Sequence, residues 1–167
     1  MTLKEALLQG QRLLEQAGVA EPRLTAEVLL AHATQHDRVW LVAHSNEELI
    51  ELWWIHYGRY LHQRLEGRPT QYITGRQEFY GRDFRVTGEV LIPRPETELI
   101  VDIVLAHLAG SPAPWTVVDL GTGSGAIGLS VLHESEVGSV IVHMTDASTD
   151  ALDVARANGA GIGRAAT

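Results

Sequence analysis

The chain of 167 residues contains no cysteine, and this absence removes several kinds of chemistry from consideration. Without thiols it has no disulfide scaffold, no thiolate zinc site and no cysteine nucleophile. Basic residues are also scarce, with 13 Lys and Arg against 21 Asp and Glu and a net charge of -8. No basic stripe is visible, so we expect no direct binding to nucleic-acid phosphates.

Long hydrophobic runs are missing as well. The longest apolar stretch, 99–109, is interrupted by Asp102 and His107 and is too short to span a bilayer. Glu5 stands where a secretory signal peptide would be apolar. With 45% hydrophobic and 20% charged residues, the composition is that of a globular chain. We therefore expect a cytoplasmic protein with no membrane partner.

Residues 1–67 carry the periodicity and the capping signals of helices. Thr2 and Glu5 form a capping box before an apolar helical stripe, and Pro22 opens a second helix. A short segment, 38–43, follows. We expect a small helical bundle over this first part of the chain.

A second capping box, Ser45 with Glu48, predicts a long helix that runs to about residue 66. Trp53 and Trp54 lie within it at helical spacing from other apolar residues. Packing in the core or between domains explains this pair most simply, and a partner-binding surface is the alternative.

Residues 68–95 change to alternating apolar residues with dense turn signals, so we expect a β-hairpin linker here. The segments 78–80 and 83–86 flank Gly81-Arg82, which favours a tight turn between two strands. A further strand is expected over 90–92, before a proline-rich end.

Residues 96–167 alternate between helix and strand patterns. The expected elements are a helix (96–108), a strand (116–120), a helix ending near 133, a strand (140–145) and a helix (148–158), followed by a tail (159–167) without an apolar period. This is one βαβα unit, the first half of a Rossmann-like α/β domain. The predicted fold class is therefore α/β, with a helical bundle, a hairpin linker and an incomplete Rossmann-like domain in that order.

A glycine-rich turn follows the first strand of this α/β unit. It consists of Asp119, Leu120, Gly121, Thr122, Gly123, Ser124 and Gly125. Glycines at alternate positions allow positive φ angles and let a ligand approach the backbone amides closely. Asp146, at the end of the next strand, can accept hydrogen bonds from both hydroxyls of a ribose. Together they predict a site for an adenosine-containing cofactor, and a tight turn without a ligand is the simpler alternative.

Glycine spacing alone leaves two cofactors open. Gly123–Gly128 fits the dinucleotide pattern G-x-G-x-x-G, which would make the chain part of a nicotinamide-dependent oxidoreductase. The frame that starts at Asp119 fits D-x-G-x-G-x-G, the pattern of class I S-adenosylmethionine methyltransferases. Because S-adenosylmethionine carries an ammonium and a sulfonium but no phosphate, Asp119 favours the methyltransferase interpretation.

One string, Ile92-Pro93-Arg94-Pro95-Glu96-Thr97-Glu98, resembles a characteristic motif of the release factor glutamine methyltransferases. Three earlier segments also match that family in order and spacing, at 67–69, 72–75 and 79–81. Its members N5-methylate the glutamine of the Gly-Gly-Gln motif in bacterial peptide chain release factors. The resemblance covers nearly the whole chain and implies S-adenosyl-L-methionine as cofactor and a peptide chain release factor as protein substrate, in translation termination.

The resemblance also implies roles for parts of the chain. Residues 1–67 would recognise the substrate, 68–95 would link the domains, and 96–167 would bind S-adenosylmethionine. The cofactor-binding residues would be Asp119, Gly121, Thr122, Gly123, Ser124 and Gly125 in the turn, Asp146 on the ribose hydroxyls, and Thr97 and Glu98 beside the pocket. For Arg94 and Glu96, an ion pair at a helix start is the alternative.

One part of the family pattern is absent. The family performs its chemistry with an Asn-Pro-Pro-Tyr motif, whereas the two asparagines of this sequence, Asn46 and Asn158, do not precede proline. We therefore assign no catalytic residue, interpret the chain as a truncated one, and expect no methyl transfer by it alone. A module that binds a release factor without catalysis is the alternative function.

Eight histidines raise the question of a metal site. His32 and His36 are four residues apart, but no third ligand stands in register, and His56 and His62 do not share a helix face. We expect surface or packing roles for all of them and no metal.

Overall fold

The computed structural model of the chain describes residues 1–110 and 112–162. The chain divides into two compact units, the first from Met1 to Thr74 and the second beginning at Gly75. The first unit is helical, and the second combines a hairpin, two parallel strands and helices, in agreement with the predicted fold class. The segment 68–95 falls partly in each unit, because the helical unit continues to Thr74.

Helices make up the first unit. They are α1 (Leu3–Gln16), α2 (Pro22–Thr34), α3 (Arg38–Ala43), α4 (Glu51–Leu65) and α5 (Thr70–Thr74). The capping box expected before α1 is confirmed: Glu5 N donates to Thr2 Oγ1 over 3.2 Å, and Thr2 N donates to the Glu5 carboxylate over 2.8 Å. Helix α5 was not predicted, since a single helical turn is too short to show a period.

An apolar core joins α1, α2 and α4 of the first unit. Its buried side chains are Leu3, Ala6, Leu14, Ala26, Leu29, Leu30, Ala33, Leu41, Tyr57, Leu61 and Ile73. Trp53 and Trp54 are half-buried and pack against this core. The position of the tryptophan pair therefore supports the packing interpretation.

The predicted start of α4 is wrong. The helix begins at Glu51 and not after Ser45, because the backbone before it bonds to the start of the chain. Lys4 N donates to Ser45 O over 2.9 Å, and Leu3 N donates to Glu47 O over 3.0 Å. A capping pattern is read from four adjacent residues and carries no information about such distant backbone partners.

Gly10 and Tyr57 form a close contact inside this core. A Cβ atom on Gly10 would lie 1.9 Å from the Tyr57 hydroxyl oxygen, so α1 can lie against Tyr57 only because this side chain is missing. Burial raises the pKa of the Tyr57 hydroxyl. Within the described ranges, that hydroxyl has no hydrogen-bond partner, so the contact between Gly10 and Tyr57 is one of van der Waals packing.

We predict opposite effects for two glycines of these helices. Gly10→Ala should destabilise the chain by about 1–3 kcal/mol, because its methyl group overlaps Tyr57. Gly58→Ala is the matched control, since beyond its chain neighbours and the backbone of α4 no described atom lies within 4 Å of its Cβ position. It should stabilise the chain by about 0.5–1 kcal/mol through helix propensity. Urea unfolding measures both free energies.

Tyr57→Phe tests the same contact from its other side. Removing an unpaired hydroxyl should change stability little by itself and should recover part of the loss in the Gly10→Ala background. Strictly additive effects of the two substitutions would contradict the contact.

The second unit contains the hairpin and the α/β elements. They are β1 (Arg76–Phe79), β2 (Arg82–Arg85), a 3-10 turn (Pro95–Thr97), α6 (Glu98–Ala109), β3 (Trp115–Leu120), α7 (Ala126–Glu134), β4 (Val140–Thr145) and α8 (Thr149–Ile162). One core includes buried side chains from the hairpin, the helices and the strands: Phe79, Phe84, Val101, Ala126, Leu129, Val131, Val140 and Val142. The hairpin is thus packed into the α/β unit.

The hairpin turn lies one residue earlier than expected. Tyr80 and Gly81 form the two-residue loop, with φ angles of 52° and 72°, and Phe79 pairs with Arg82. Two consecutive positive φ angles match the twist of hairpin strands. Because tyrosine rarely adopts this conformation, the sequence favours Gly81-Arg82 as the loop and not Tyr80-Gly81.

The strand predicted over 90–92 does not join a sheet. Val90 and Ile92 are buried and Leu91 is 75% exposed, so the alternation in the sequence does reflect burial. Val90 N, however, donates to Thr87 O in a turn instead of to a strand. A period of two reports which side of the chain is covered, not whether a second strand lies beside it.

Helix α8 continues through 159–162, whereas the predicted helix ends at residue 158 and is followed by a tail without an apolar period. This stretch, Gly-Ala-Gly-Ile, has neither an apolar period nor high helix propensity, so neither signal predicts its helical conformation. The remainder of the expected tail, 163–167, lies outside the described residues. Among the helices of the described ranges, none combines the length and the apolar content needed to cross a membrane.

Strands β3 and β4 pair in parallel, with Leu120 opposite Thr145 at their carboxyl ends. Burial alternates along β3, and one face of the pair carries exposed apolar side chains. Val118, Leu120 and Ile141 are 54%, 78% and 50% exposed. The pair therefore has one apolar face uncovered within the described chain, whereas parallel sheets normally have both faces covered.

Candidate functional site

The glycine-rich turn ties the carboxyl ends of β3 and β4 together. The backbone amides of Gly121 and Thr122 both donate to the carbonyl oxygen of Thr145, over 2.8 and 2.9 Å. Gly125 N donates to Thr122 O over 2.9 Å and closes the turn before α7 begins at Ala126. The turn is thus anchored at the edge of the sheet where both strands end.

The glycines of this turn have the positive φ angles expected from their spacing. The angles are 72°, 56° and 80° at Gly121, Gly123 and Gly125. Beyond the chain neighbours, no described atom lies within 4 Å of the Cβ position at Gly121 or Gly123, so the backbone there is open on its outer side. At Gly125 a Cβ atom would lie 3.0 Å from Leu129 Cδ1, so packing also excludes a side chain. Open backbone at the first two glycines would let a ligand approach closely.

Asp119, near the end of β3, is held through one carboxylate oxygen. Thr122 Oγ1 donates to Asp119 Oδ2 over 2.7 Å, and Gly128 N donates to the same oxygen over 3.1 Å. A Cβ atom on Gly128 would lie 3.0 Å from both Asp119 Oδ2 and Met144 Cγ. Gly128 therefore allows α7 to approach the strands closely enough for its amide to reach the carboxylate.

Asp146 follows β4 and bonds to the turn with its own carboxylate. Ser148 N donates to Oδ1 and Gly123 N donates to Oδ2, each over 2.9 Å. These two backbone amides, Ser148 first, stabilise the charged form and lower the pKa of Asp146. Each carboxylate oxygen has a second lone pair, so the group can still accept hydrogen bonds from a diol.

Asn158 is a further polar side chain at the turn, and no role for it was predicted from the sequence. It lies on α8 and is 4% exposed. Its amide nitrogen donates to Ser124 O over 2.8 Å and to Arg85 O over 3.0 Å, while its amide oxygen accepts from Arg85 N over 2.7 Å. A polar residue within an otherwise alanine-rich and glycine-rich helix end was the one signal that could have found it.

Glu98 lies against the hairpin loop. Its Oε1 accepts from Tyr80 N over 2.9 Å, and the Tyr80 hydroxyl donates to Asp102 Oδ1 over 2.7 Å, which raises the pKa of Tyr80. Thr97 is half-buried in the 3-10 turn before α6 and makes no side-chain capping bond. The structure thus links Glu98 to the strained tyrosine, and a contribution of Thr97 and Glu98 to a cofactor pocket stays a prediction.

Arg94 and Glu96, in the same segment, are both exposed. The ion pairs found within 1–110 and 112–162 do not include one between them. The alternative of an ion pair at the helix start is therefore wrong.

Histidines of the first unit pack against aromatic rings. Trp40 stacks between His36 and His44, with ring centroids 3.8 and 4.2 Å away, and His32 lies 4.9 Å from the ring of Tyr60. In the described part of the chain, no group of three His, Asp or Glu side chains is placed to hold a metal ion. These contacts support the packing role expected for the histidines.

Two family models match the chain, one in each unit. Residues 5–75 match the PrmC N-terminal domain, and residues 97–164 match the methyltransferase small domain. The glycine-rich turn and both of its aspartates lie within the second match. The fold and the site therefore define a methyltransferase-type α/β domain preceded by a helical domain.

Curated relatives of the chain share one printed name. The chain is 44% identical to a release factor glutamine methyltransferase of Koribacter versatilis over 160 residues, 96% of the chain and 56% of the relative. It is also 44% identical to one of Moorella thermoacetica over 166 residues, 99% of the chain and 58% of the relative. The chain is thus similar to release factor glutamine methyltransferases along nearly its whole length, and it spans about half the length of the curated relatives it matches.

We predict that the close approach of α7 to the strands depends on Gly128. Gly128→Ala should lower the free energy of unfolding by about 1–3 kcal/mol, because its Cβ would press on Asp119 and Met144. Gly161→Ala, in α8, meets no described atom within 4 Å beyond its chain neighbours and its own helix backbone, and should be neutral or stabilising. Thermal unfolding compares the two, and equal losses would show that the effect is not specific to this contact.

Proposed function

We propose that this chain is the S-adenosyl-L-methionine-binding part of an enzyme that N5-methylates the glutamine of the Gly-Gly-Gln motif in peptide chain release factors, in the cytoplasm. One observation carries the proposal: Asp119 and Asp146 are both bonded to a single glycine-rich turn, in a chain similar to release factor glutamine methyltransferases. In this proposal residues 1–67 recognise the release factor and residues 96–167 bind the cofactor. Residues 68–95 link these two parts of the chain.

The residues of the turn fit S-adenosyl-L-methionine. Asp146 would accept the ribose hydroxyls, and its lowered pKa favours the charged, accepting form. Gly121 and Gly123 leave open backbone beside it, and Asp119 supplies a negative charge for the ammonium of the methionine part. When bound, the cofactor supplies a methyl group on a sulfonium, whose sulfur departs as a neutral thioether, a good leaving group.

The same turn suits a dinucleotide less well. A dinucleotide presents its pyrophosphate to the amino end of the following helix. Here Gly128 N, in the first turn of α7, donates to Asp119 Oδ2. A carboxylate at this place repels phosphate, so the contact supports a methyltransferase over a nicotinamide-dependent oxidoreductase.

Glutamine methylation needs groups that this sequence does not contain. An amide nitrogen is a weak nucleophile because its lone pair is delocalised, so an enzyme has to hold the N–H groups on acceptors and aim the nitrogen at the methyl group. By family resemblance, the Asn-Pro-Pro-Tyr motif supplies these acceptors, and the motif is absent from this sequence. We therefore propose that this chain contributes cofactor and substrate binding but no catalytic residue.

Calorimetric titration of the chain with S-adenosylmethionine tests the cofactor assignment. Asp146→Asn should weaken binding by about tenfold or more, because it removes a charge-assisted acceptor of the ribose hydroxyls. Asp150→Asn removes the same charge from an exposed position in the first turn of α8 and should leave the affinity unchanged. Tighter binding of NAD than of S-adenosylmethionine, or equal effects of the two substitutions, would contradict the assignment.

Mass spectrometry of a release factor tests the substrate assignment. We expect no methylation by the 167-residue chain, and methylation of the Gly-Gly-Gln glutamine after the chain is fused to the remaining residues of the Moorella thermoacetica relative. Asp146→Asn in the fusion should reduce the modification, and Asp150→Asn should not. A fusion that binds the cofactor but leaves the glutamine unmodified would rule out this substrate.

A further inference from the structure

The glycine-rich turn has a side-chain tether that comes from α8. Asn158 donates to the carbonyl oxygen of Ser124 over 2.8 Å, and its other contacts are the backbone N–H and C=O of Arg85 on β2. Resting on the proposed function, we propose that Asn158 is a positioning residue, which holds the turn in the conformation that binds S-adenosylmethionine.

The turn needs such a tether because of its glycines. Ser124 stands between Gly123 and Gly125, which both have positive φ angles, and this run has more conformational freedom than other sequences. Ser124 is 3% exposed, so without Asn158 its carbonyl oxygen would lose the amide donor in a place that water reaches poorly. The hydrogen bond from Asn158 therefore restricts the middle of the turn.

Strand β2 is a rigid support for this tether. Phe84 is completely buried in the core of the unit. Tyr80 N is bonded to Glu98, and Arg82 forms an ion pair with Glu134 on α7. Because the hairpin is fixed at its loop and along its length, the two hydrogen bonds to Arg85 hold the Asn158 amide plane in one orientation.

Asparagine is suited to these contacts by its donor and acceptor set. Its side chain offers one carbonyl acceptor and two N–H donors at the end of a single methylene, and all of them are used here. Aspartate has the same shape, but its second oxygen would face the carbonyl oxygens of Ser124 and Arg85. Asn158→Asp therefore changes the contacts while it keeps the volume.

Cofactor affinity, measured beside folding stability, tests the inference. Asn158→Ala and Asn158→Asp should each raise the dissociation constant for S-adenosylmethionine by about tenfold, measured by calorimetry well below their unfolding temperatures. Val154→Ala is the matched control: it removes buried atoms from the same helix, one turn earlier, and touches none of the hydrogen bonds to the turn. It should lower the unfolding temperature comparably and leave the affinity unchanged.

Three outcomes separate the possibilities. Weakened binding in both Asn158 variants but not in Val154→Ala supports the positioning role. Unchanged binding in the Asn158 variants, or equal weakening in all three, overturns that role and leaves the proposed function standing. Failure of the unsubstituted chain to bind S-adenosylmethionine overturns both.

Discussion

Two hydrogen bonds to one carbonyl oxygen organise the candidate site. Thr145 ends β4, and its carbonyl oxygen accepts from both Gly121 N and Thr122 N, so the turn that leaves β3 has to cross to the neighbouring strand end. Only with the turn in this place can Gly123 N reach Asp146 and Gly128 N reach Asp119. The parallel pairing of β3 and β4 makes this possible, because it brings both carboxyl ends to one edge.

Sequence reasoning succeeded where the determinants are local. A few adjacent residues determine each of three features that were predicted: the capping box at Thr2, the positive φ angles of the alternate glycines, and the position of an aspartate directly after β4. The start of α4 was missed because its preceding backbone bonds to the first residues of the chain. Asn158 was missed for the same reason, since its partners Ser124 and Arg85 lie 34 and 73 residues away. The sequence therefore favoured S-adenosylmethionine over a dinucleotide as the expected cofactor, but it gave no indication of the contacts that Asn158 makes with the turn.

The proposed function has two chemical requirements, which are binding of the cofactor and orientation of the glutamine amide. In that proposal, Asp146 would supply acceptors for a ribose and Asp119 a charge for an ammonium, and both roles belong to cofactor binding. The groups that hold a glutamine amide belong, by family resemblance, to a motif that the sequence does not contain. The chain spans about half the length of its curated relatives, and the uncovered apolar side chains Val118, Leu120 and Ile141 show that the strand pair is not covered on both faces by the described residues.

The most direct test of cofactor binding at the turn is an NMR titration of the ¹⁵N-labelled chain with S-adenosylmethionine. We predict the largest amide shift changes at Gly121, Gly123 and Asp146, with little change in the helical unit before Gly75. NAD at the same concentration should leave the chemical shifts of these amides unchanged. Shift changes confined to residues 1–74, or an equal response to both ligands, would contradict the assignment of this turn to S-adenosylmethionine.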